Sequence, residues 1–339
     1  MLLALCLLAD YIAVNFVDRV FDNPSMFSGL ENLLALYGYS LQVYADFSGY
    51  TDIAIGIAMI MGFYLPKNFN SPYKADNCGN FWKRWHISLS TWLKDYLYIP
   101  MGGNRRGSLF SVIALSFIVL FVFLISGSWV LLFLILSLIF LVQLLGEFIP
   151  SFKGWYITNV NIMLTMLLGG LWHGASWNFV LWGGLNGLGI VIYKIWRKFS
   201  PWGNKSKWWN RAWGILITFN FVSFTRIWFR SGSTNSWEDM DGGHNILSEW
   251  FTANEMLYQL MFDFRWGLIS DVVGGYYEVL LVILTGFIIH FIPEKIKNYY
   301  RNYFANLHVG FQILTSLLVV FLIYQIASTS LQPFIYFQF

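Results

Sequence analysis

Apolar residues along this chain fall in long runs separated by short polar breaks. The clearest run covers 109–126, ends at Gly127-Ser128, and is followed at once by a second over 129–148. The pair predicts a helical hairpin. Further runs cover 157–172, 175–193, 212–229, 276–293 and 309–331. A spanning helix needs about 20 mostly apolar residues, so each run predicts a membrane segment. Two shorter runs, 33–45 and 51–65, are associated with Asp46 and Asp52, and 2–18 is a span with Asp10 inside it. The expectation is an all-α, polytopic helical membrane protein with roughly eight to ten segments. It forms a single domain over 1–339, with no internal repeat and no low-complexity tract.

Two stretches depart from this pattern. Residues 67–106 interleave bases with aromatics, among them Trp82, Lys83, Arg84, Trp85, His86, Trp92, Lys94 and Asp95. Cations and aromatic rings at helical spacing predict an interfacial or re-entrant segment. Residues 231–275 are polar and carry Glu238, Asp239, Asp241 and His244, which predicts a loop on the outer side.

Composition narrows the class. Of 339 residues, 57% are hydrophobic and 12% charged. A soluble fold of this size needs about twice that share of charge. A soluble enzyme, a disordered chain and a disulfide scaffold are all excluded. Aromatics at 20% suit side chains seated at the lipid–water boundary. Cys6 and Cys78 form no metal or disulfide pattern. The start does not read as a signal peptide, because no base precedes Arg19 and Asp10 interrupts the first run.

The charges alternate in blocks. Residues 1–66 hold six acids and one base, 67–106 seven bases and two acids, 194–211 six bases and no acid, and 226–278 eight acids and three bases. Bases gather on the cytoplasmic side of a membrane protein. This puts 194–211 inside, the acidic loop outside, Lys295, Lys297 and Arg301 inside, and Lys153, Arg105 and Arg106 inside. Bases spread over separate loops argue against nucleic acid as a partner; the solvating partner is membrane lipid.

Candidate chemistry lies where polar groups interrupt apolar sequence, because a charge at the membrane centre costs roughly 2.5–3.5 kcal/mol. His173 sits in Gly169-Gly170-Leu171-Trp172-His173-Gly174-Ala175-Ser176-Trp177-Asn178. An imidazole there can exchange a proton near neutral pH, or it can simply bond a neighbouring helix. His86 lies in Phe81-Trp82-Lys83-Arg84-Trp85-His86-Ile87-Ser88, where an interfacial anchor is the alternative. Asp46 and Asp52 form a relay or carboxylate pair, or else cap helices and meet cations. Spacing alone specifies neither a metal site nor a triad.

The ordered motifs add a resemblance. Tyr44 to Tyr73, with Ala45-Asp46-Phe47-Ser48-Gly49-Tyr50-Thr51-Asp52 and Leu65-Pro66-Lys67-Asn68-Phe69-Asn70, resembles the membrane-bound O-acyltransferase family. So do Phe81 to Ser90, Trp92 to Asn104, and Gly170 to Asn178. The texture resembles the bacterial branch of alginate O-acetylation proteins and teichoic acid D-alanyl transferases. Pro333 to Phe339 resembles the end of that branch. The family carries several more spans before the Asp-Phe-Ser-Gly-Tyr motif, so the chain is expected to be short at its N-terminus. The 87 residues from His86 to His173 hold the hairpin 109–148, expected to be a lateral helix pair.

The resemblance implies an O-acyltransferase of the bacterial inner membrane, with His173 as the catalytic histidine and His86 as a second catalytic position. Trp172, Asn178, Arg84, Trp85 and Asp95 are the candidate substrate-binding positions within these motifs. The implied donor is an acyl thioester, acetyl-CoA or an acyl-carrier protein, on the cytoplasmic side, with no bound cofactor and no metal. The implied acceptor is a hydroxyl on an exported glycan, with a periplasmic or extracellular acetyl-transfer protein as partner. His173 would take the hydroxyl proton, and His86 would orient it or donate to the oxyanion. Lys67, Lys74, Arg105 and Arg106 could attract an anionic donor. The rival readings are a transporter or channel using the same intramembrane Asp and His, a non-catalytic fragment, and transfer of another acyl group such as D-alanine.

Overall fold

In the computed structural model, the described residues are 9–105, 107–174, 176–200, 207–233 and 250–326. Cys6, Arg106, Glu238, Asp239, Asp241, His244 and the 333–339 end lie outside them. Among the described residues the chain is helical, with no strand. The order is α1 (Asp18–Asp22), α2 (Gly29–Ile60), α3 (Cys78–Trp82), α4 (Ile87–Leu93), α5 (Leu109–Ser126), α6 (Trp129–Phe148), α7 (Pro150–His173) and α8 (Trp177–Phe199). Then come α9 (Trp208–Ser233), α10 (Phe251–Phe262), α11 (Ile269–Gly275), α12 (Tyr277–Phe291), α13 (Glu294–Ala305) and α14 (Val309–Ile326).

Among the described residues, three helices are long and apolar enough to cross a membrane: α6, α8 and Trp208–Gly232 of α9. There are five if each bent pair counts as one span, since Trp266–Gly275 meets α12 at 90° and α13 meets Val309–Phe321 at 118°. Leu109–Leu124 is a shorter apolar helix. The protein is thus a polytopic helical membrane protein.

The hairpin forms where its sequence predicts. Ser108 opens α5 with a capping box to Ser111, satisfying N–H groups that a helix start otherwise leaves unpaired. Gly127 closes it at φ 58°, a left-handed conformation that glycine adopts without steric cost. Leu134, Leu138 and Phe140 on α6 are all more than 60% exposed. The hairpin therefore leaves these side chains uncovered by the rest of the described protein.

Two expectations change. The runs 33–45 and 51–65 are one helix, α2, of 32 residues, about 48 Å long. Asp46 and Asp52 do not break it. They sit six residues apart, so they project from different faces of a 3.6-residue helix. Asp46 lies within electrostatic reach of Asp10, and Asp52 within reach of Arg301 and Lys67. They do not form a carboxylate pair. Second, within the stretch read as a polar loop over 231–275, the described part forms helices α10 and α11. Ala253 and Met256 of α10 are wholly buried, and a Cβ added to Gly29 of α2 would meet the Gln259 carbonyl oxygen of α10 at 2.3 Å.

The core gathers α2, α8, α9 and the segment 69–85, with Phe16, Tyr39, Tyr73, Trp85, Phe179 and Ile227 buried. Inside a bilayer, helices gain little by burying apolar surface, so close packing and interhelical hydrogen bonds hold them together. Both occur here. Gly170 of α7 and Gly183 of α8 bring the two backbones into contact, and a Cβ on Gly170 would lie 2.3 Å from the Phe179 carbonyl oxygen. Ser40 of α2 bonds Ser223 of α9 at 3.0 Å, and Tyr37 donates to Asn220 at 2.6 Å.

Candidate functional site

His173 is the last residue of α7, at the tight turn into α8. Gly174 follows because a Cβ there would lie 2.6 Å from the Phe179 ring. Ser176 caps α8, its hydroxyl accepting from the Asn178 amide at 3.2 Å. The imidazole is buried in an aromatic cage. Trp172 and Trp182 lie with ring centroids 5.0 Å away, Phe229 at 5.2 Å and Phe179 at 6.2 Å.

His173 lines a cavity of about 20 Å³, room for one water-sized group. Its wall takes residues from five parts of the chain: Val43 of α2, Phe81 and Trp85 of the segment 69–85, His173 of α7, Asn186 of α8, and Val222 and Arg226 of α9. Asn186 is committed, donating to the Trp182 carbonyl at 2.8 Å and to Thr225 Oγ1 at 3.3 Å.

Arg226 is 4% exposed. Its guanidinium stands 4.6 Å from the Trp85 ring and 5.6 Å from Tyr73, and Nη1 donates to the Ser40 carbonyl at 3.3 Å. Among the described residues, the ion pairs found do not include it. Cation–π contacts of a desolvated arginine are worth about 2 kcal/mol, and this face-on packing offsets part of the cost of a charge among apolar helices. Nearby Arg230 is handled differently, pairing with Asp18 at 2.8 Å.

His86 is half-buried, with φ 45° and ψ 57°. That left-handed conformation is uncommon for a residue with a Cβ and persists only where the surroundings impose it. Here Asn68 imposes it. Its side-chain oxygen accepts from His86 Nδ1 at 3.2 Å, from the Ser88 amide at 3.1 Å and from Ser88 Oγ at 3.0 Å, while its carbonyl accepts from the Ile87 amide at 2.9 Å. With Nδ1 donating, Nε2 is the basic nitrogen. The ring stands edge-on to Phe47 at 4.7 Å, and it lies within electrostatic reach of His173. The basic stretch thus holds two short helices, α3 and α4, tied back to the 68–74 loop.

The other candidates divide. Trp85 joins His173 at the cavity, and Trp172 is 55% exposed against the His173 ring. Asn178 is wholly buried at the start of α8. Arg84 is spent on Asn80 Oδ1 at 3.1 Å and the Asn70 carbonyl at 3.2 Å. Asp95 pairs with Lys94 at 3.2 Å on an exposed helical stretch that follows α4. Arg84 and Asp95 are not among the residues lining the cavity. Among the described residues, no three His, Cys, Asp or Glu side chains gather as a metal site would require.

Arg226 and Asn186 lie outside the quoted motifs, and Asn68, within one of them, is not among the candidate site residues. For Arg226 a signal existed, since it is a permanent charge within the apolar run 212–229. One polar face also takes shape from distant segments. Lys74 donates to the Ile292 carbonyl at 2.8 Å and lies within electrostatic reach of Lys297, Arg84 and Arg211. Of the bases assigned inside, Lys297 and Arg211 both lie near Lys74.

Comparison with known proteins gives a consistent result. A profile of the membrane-bound O-acyltransferase family matches residues 1–153. The chain is 36% identical over 233 residues to a peptidoglycan O-acetyltransferase of Helicobacter pylori, covering 68% of this chain and 34% of that protein. It is 29% identical over 345 residues to a probable alginate O-acetylase of Pseudomonas putida, covering 98% of this chain and 58% of the relative. A teichoic acid D-alanyltransferase of Bacillus subtilis is 31% identical over 205 residues, covering 58% of this chain and 40% of the relative. The chain spans about a third to three fifths of the length of these curated relatives.

Proposed function

We propose that this chain, which belongs to the membrane-bound O-acyltransferase family, transfers an acetyl group from a thioester to a hydroxyl of an envelope polysaccharide. The observation that carries the reading is His173, an imidazole buried where α7, α8 and α9 meet and opening on a small cavity that also holds a cation. Acyl transfer asks for that pairing. A base must remove the hydroxyl proton, and a positive group must stabilise the oxyanion that follows.

In this reading His173 accepts the proton as the hydroxyl oxygen attacks the thioester carbonyl, and returns it to the departing sulfur. General base catalysis of this kind contributes about 10²–10⁴-fold. His86, fixed by Asn68, keeps a basic Nε2 within electrostatic reach and positions the proton transfer. The donor, acetyl-CoA or an acetylated carrier, approaches from the face that holds Lys67, Lys74 and Lys297. The acceptor is presented from the opposite side of the inner membrane, with a periplasmic transfer protein as relay.

D-alanyl transfer is the second reading, favoured by the likeness to a teichoic acid D-alanyltransferase. One experiment separates the two. The protein is expressed in bacteria lacking their own envelope acylation, and the ester released from the glycan by mild base is identified. Acetate above background supports the proposal, D-alanine selects the second reading, and neither overturns both.

A further inference from the structure

The most specific geometry in the molecule is the meeting of one imidazole and one guanidinium on a cavity the size of a single oxygen. At about 20 Å³ the cavity has room for one water-sized group. It can take the carbonyl oxygen of an acyl group. Arg226 is the permanent cation in its wall. It is held before any ligand arrives, stacked over Trp85 and tied to the Ser40 carbonyl, which also accepts from Tyr73 Oη at 2.5 Å. Asn186 offers no competing donor, because its amide hydrogens are spent on Trp182 and Thr225.

Resting on the acyl-transfer reading above, we infer that Arg226 is the oxyanion-binding catalytic residue, and that the cavity seats the carbonyl oxygen of the acyl donor. The step balances as follows. The acceptor oxygen forms a bond to the carbonyl carbon, and its proton passes to His173. The carbonyl π pair moves onto oxygen, which becomes an alkoxide facing Arg226. Collapse re-forms the carbonyl, breaks the carbon–sulfur bond, and the thiolate takes the proton from His173. A guanidinium already fixed in the cavity wall by Trp85 and the Ser40 carbonyl stabilises that alkoxide without reorganising. The role assigns His86 to positioning and leaves the oxyanion to Arg226.

The test uses the full chain in proteoliposomes with an acetyl thioester and a hydroxyl acceptor, and rates are expressed per folded molecule. Removing one oxyanion donor typically lowers kcat about 10²–10³-fold. Arg226→Gln is expected to show that loss with the donor KM within about threefold of the parent, because the contact with a neutral carbonyl oxygen is weak and strengthens as charge develops on it in the transition state. A kcat within about threefold of the parent overturns the inference, as does a raised KM at unchanged kcat. If the glutamine variant does not accumulate, Arg226→Lys decides. A kcat at least about tenfold lower at unchanged KM is expected, since lysine keeps the charge and loses the planar stacked geometry. A parental kcat in Arg226→Lys overturns the inference. A parent protein that forms no ester removes the acyl-transfer reading and this inference with it. An active parent, an inactive His173→Ala and a fully active Arg226→Gln remove this inference alone.

Discussion

The hairpin α5–α6 and the helix group α7–α9 are both apolar, yet they do opposite things with their residues. The hairpin is dense in Leu, Ile and Phe, and most of these side chains face outward, as in Val130, Phe133, Leu138 and Phe140. In α7–α9, glycines admit close backbone contact, and the polar residues Thr165, His173, Asn178, Asn186, Thr225 and Arg226 are buried. In lipid, an apolar side chain gains nothing by turning inward, whereas a polar group must find a partner. Apolarity therefore marks the surface of this protein, and small and polar residues mark its interior and its site.

Substitutions can break this contrast, and their expected effects fall in order. The largest is at the Arg230–Asp18 pair, whose side chains are 10% and 25% exposed. Asp18→Ala removes the carboxylate at 2.8 Å from a largely buried guanidinium, with Asp22 still within electrostatic reach, and is expected to cost about 3 kcal/mol. Thermal unfolding in detergent checks it, and a melting temperature equal to the parent's would contradict the ordering. Next comes Gly170→Ala, whose new Cβ meets a backbone oxygen at 2.3 Å. Overpacking of this kind costs about 1–3 kcal/mol. Ser28→Ala removes the capping box at the start of α2, where Ser28 and Glu31 bond each other's backbone, and about 1 kcal/mol is expected. Leu138→Ala on the hairpin should fall within about 0.5 kcal/mol, because its side chain is 61% exposed and leaves no cavity. A hairpin substitution as damaging as Gly170→Ala would mean that this face packs against protein.

The same contrast explains what was legible beforehand. Both hairpin helices and the breaks at Gly127 and after His173 follow from the length of apolar runs and from turn chemistry. The single helix α2 was not legible as one, because Asp46 and Asp52 resemble helix ends in sequence. Only the fold supplies Asp10, Lys67 and Arg301 as their neighbours. Helix α10 hid in a polar stretch, although Ala253, Met256 and Gln259 recur three apart and are the residues it buries. His173 stood out through its glycine and tryptophan setting. Arg226 was absorbed into an apolar average, and Asn68, although inside the Leu65–Asn70 motif, gave no sign of its role, since that lies in contacts with residues 18–20 positions away.

The central claim is that His173 supplies the base for acyl transfer. The most direct measurement is the rate of acetyl transfer from thioester to hydroxyl by the parent and by His173→Ala, each reconstituted in lipid and matched for folded protein. The account predicts a fall of about 10²–10⁴-fold per folded molecule. Transfer by His173→Ala within about threefold of the parent would contradict it.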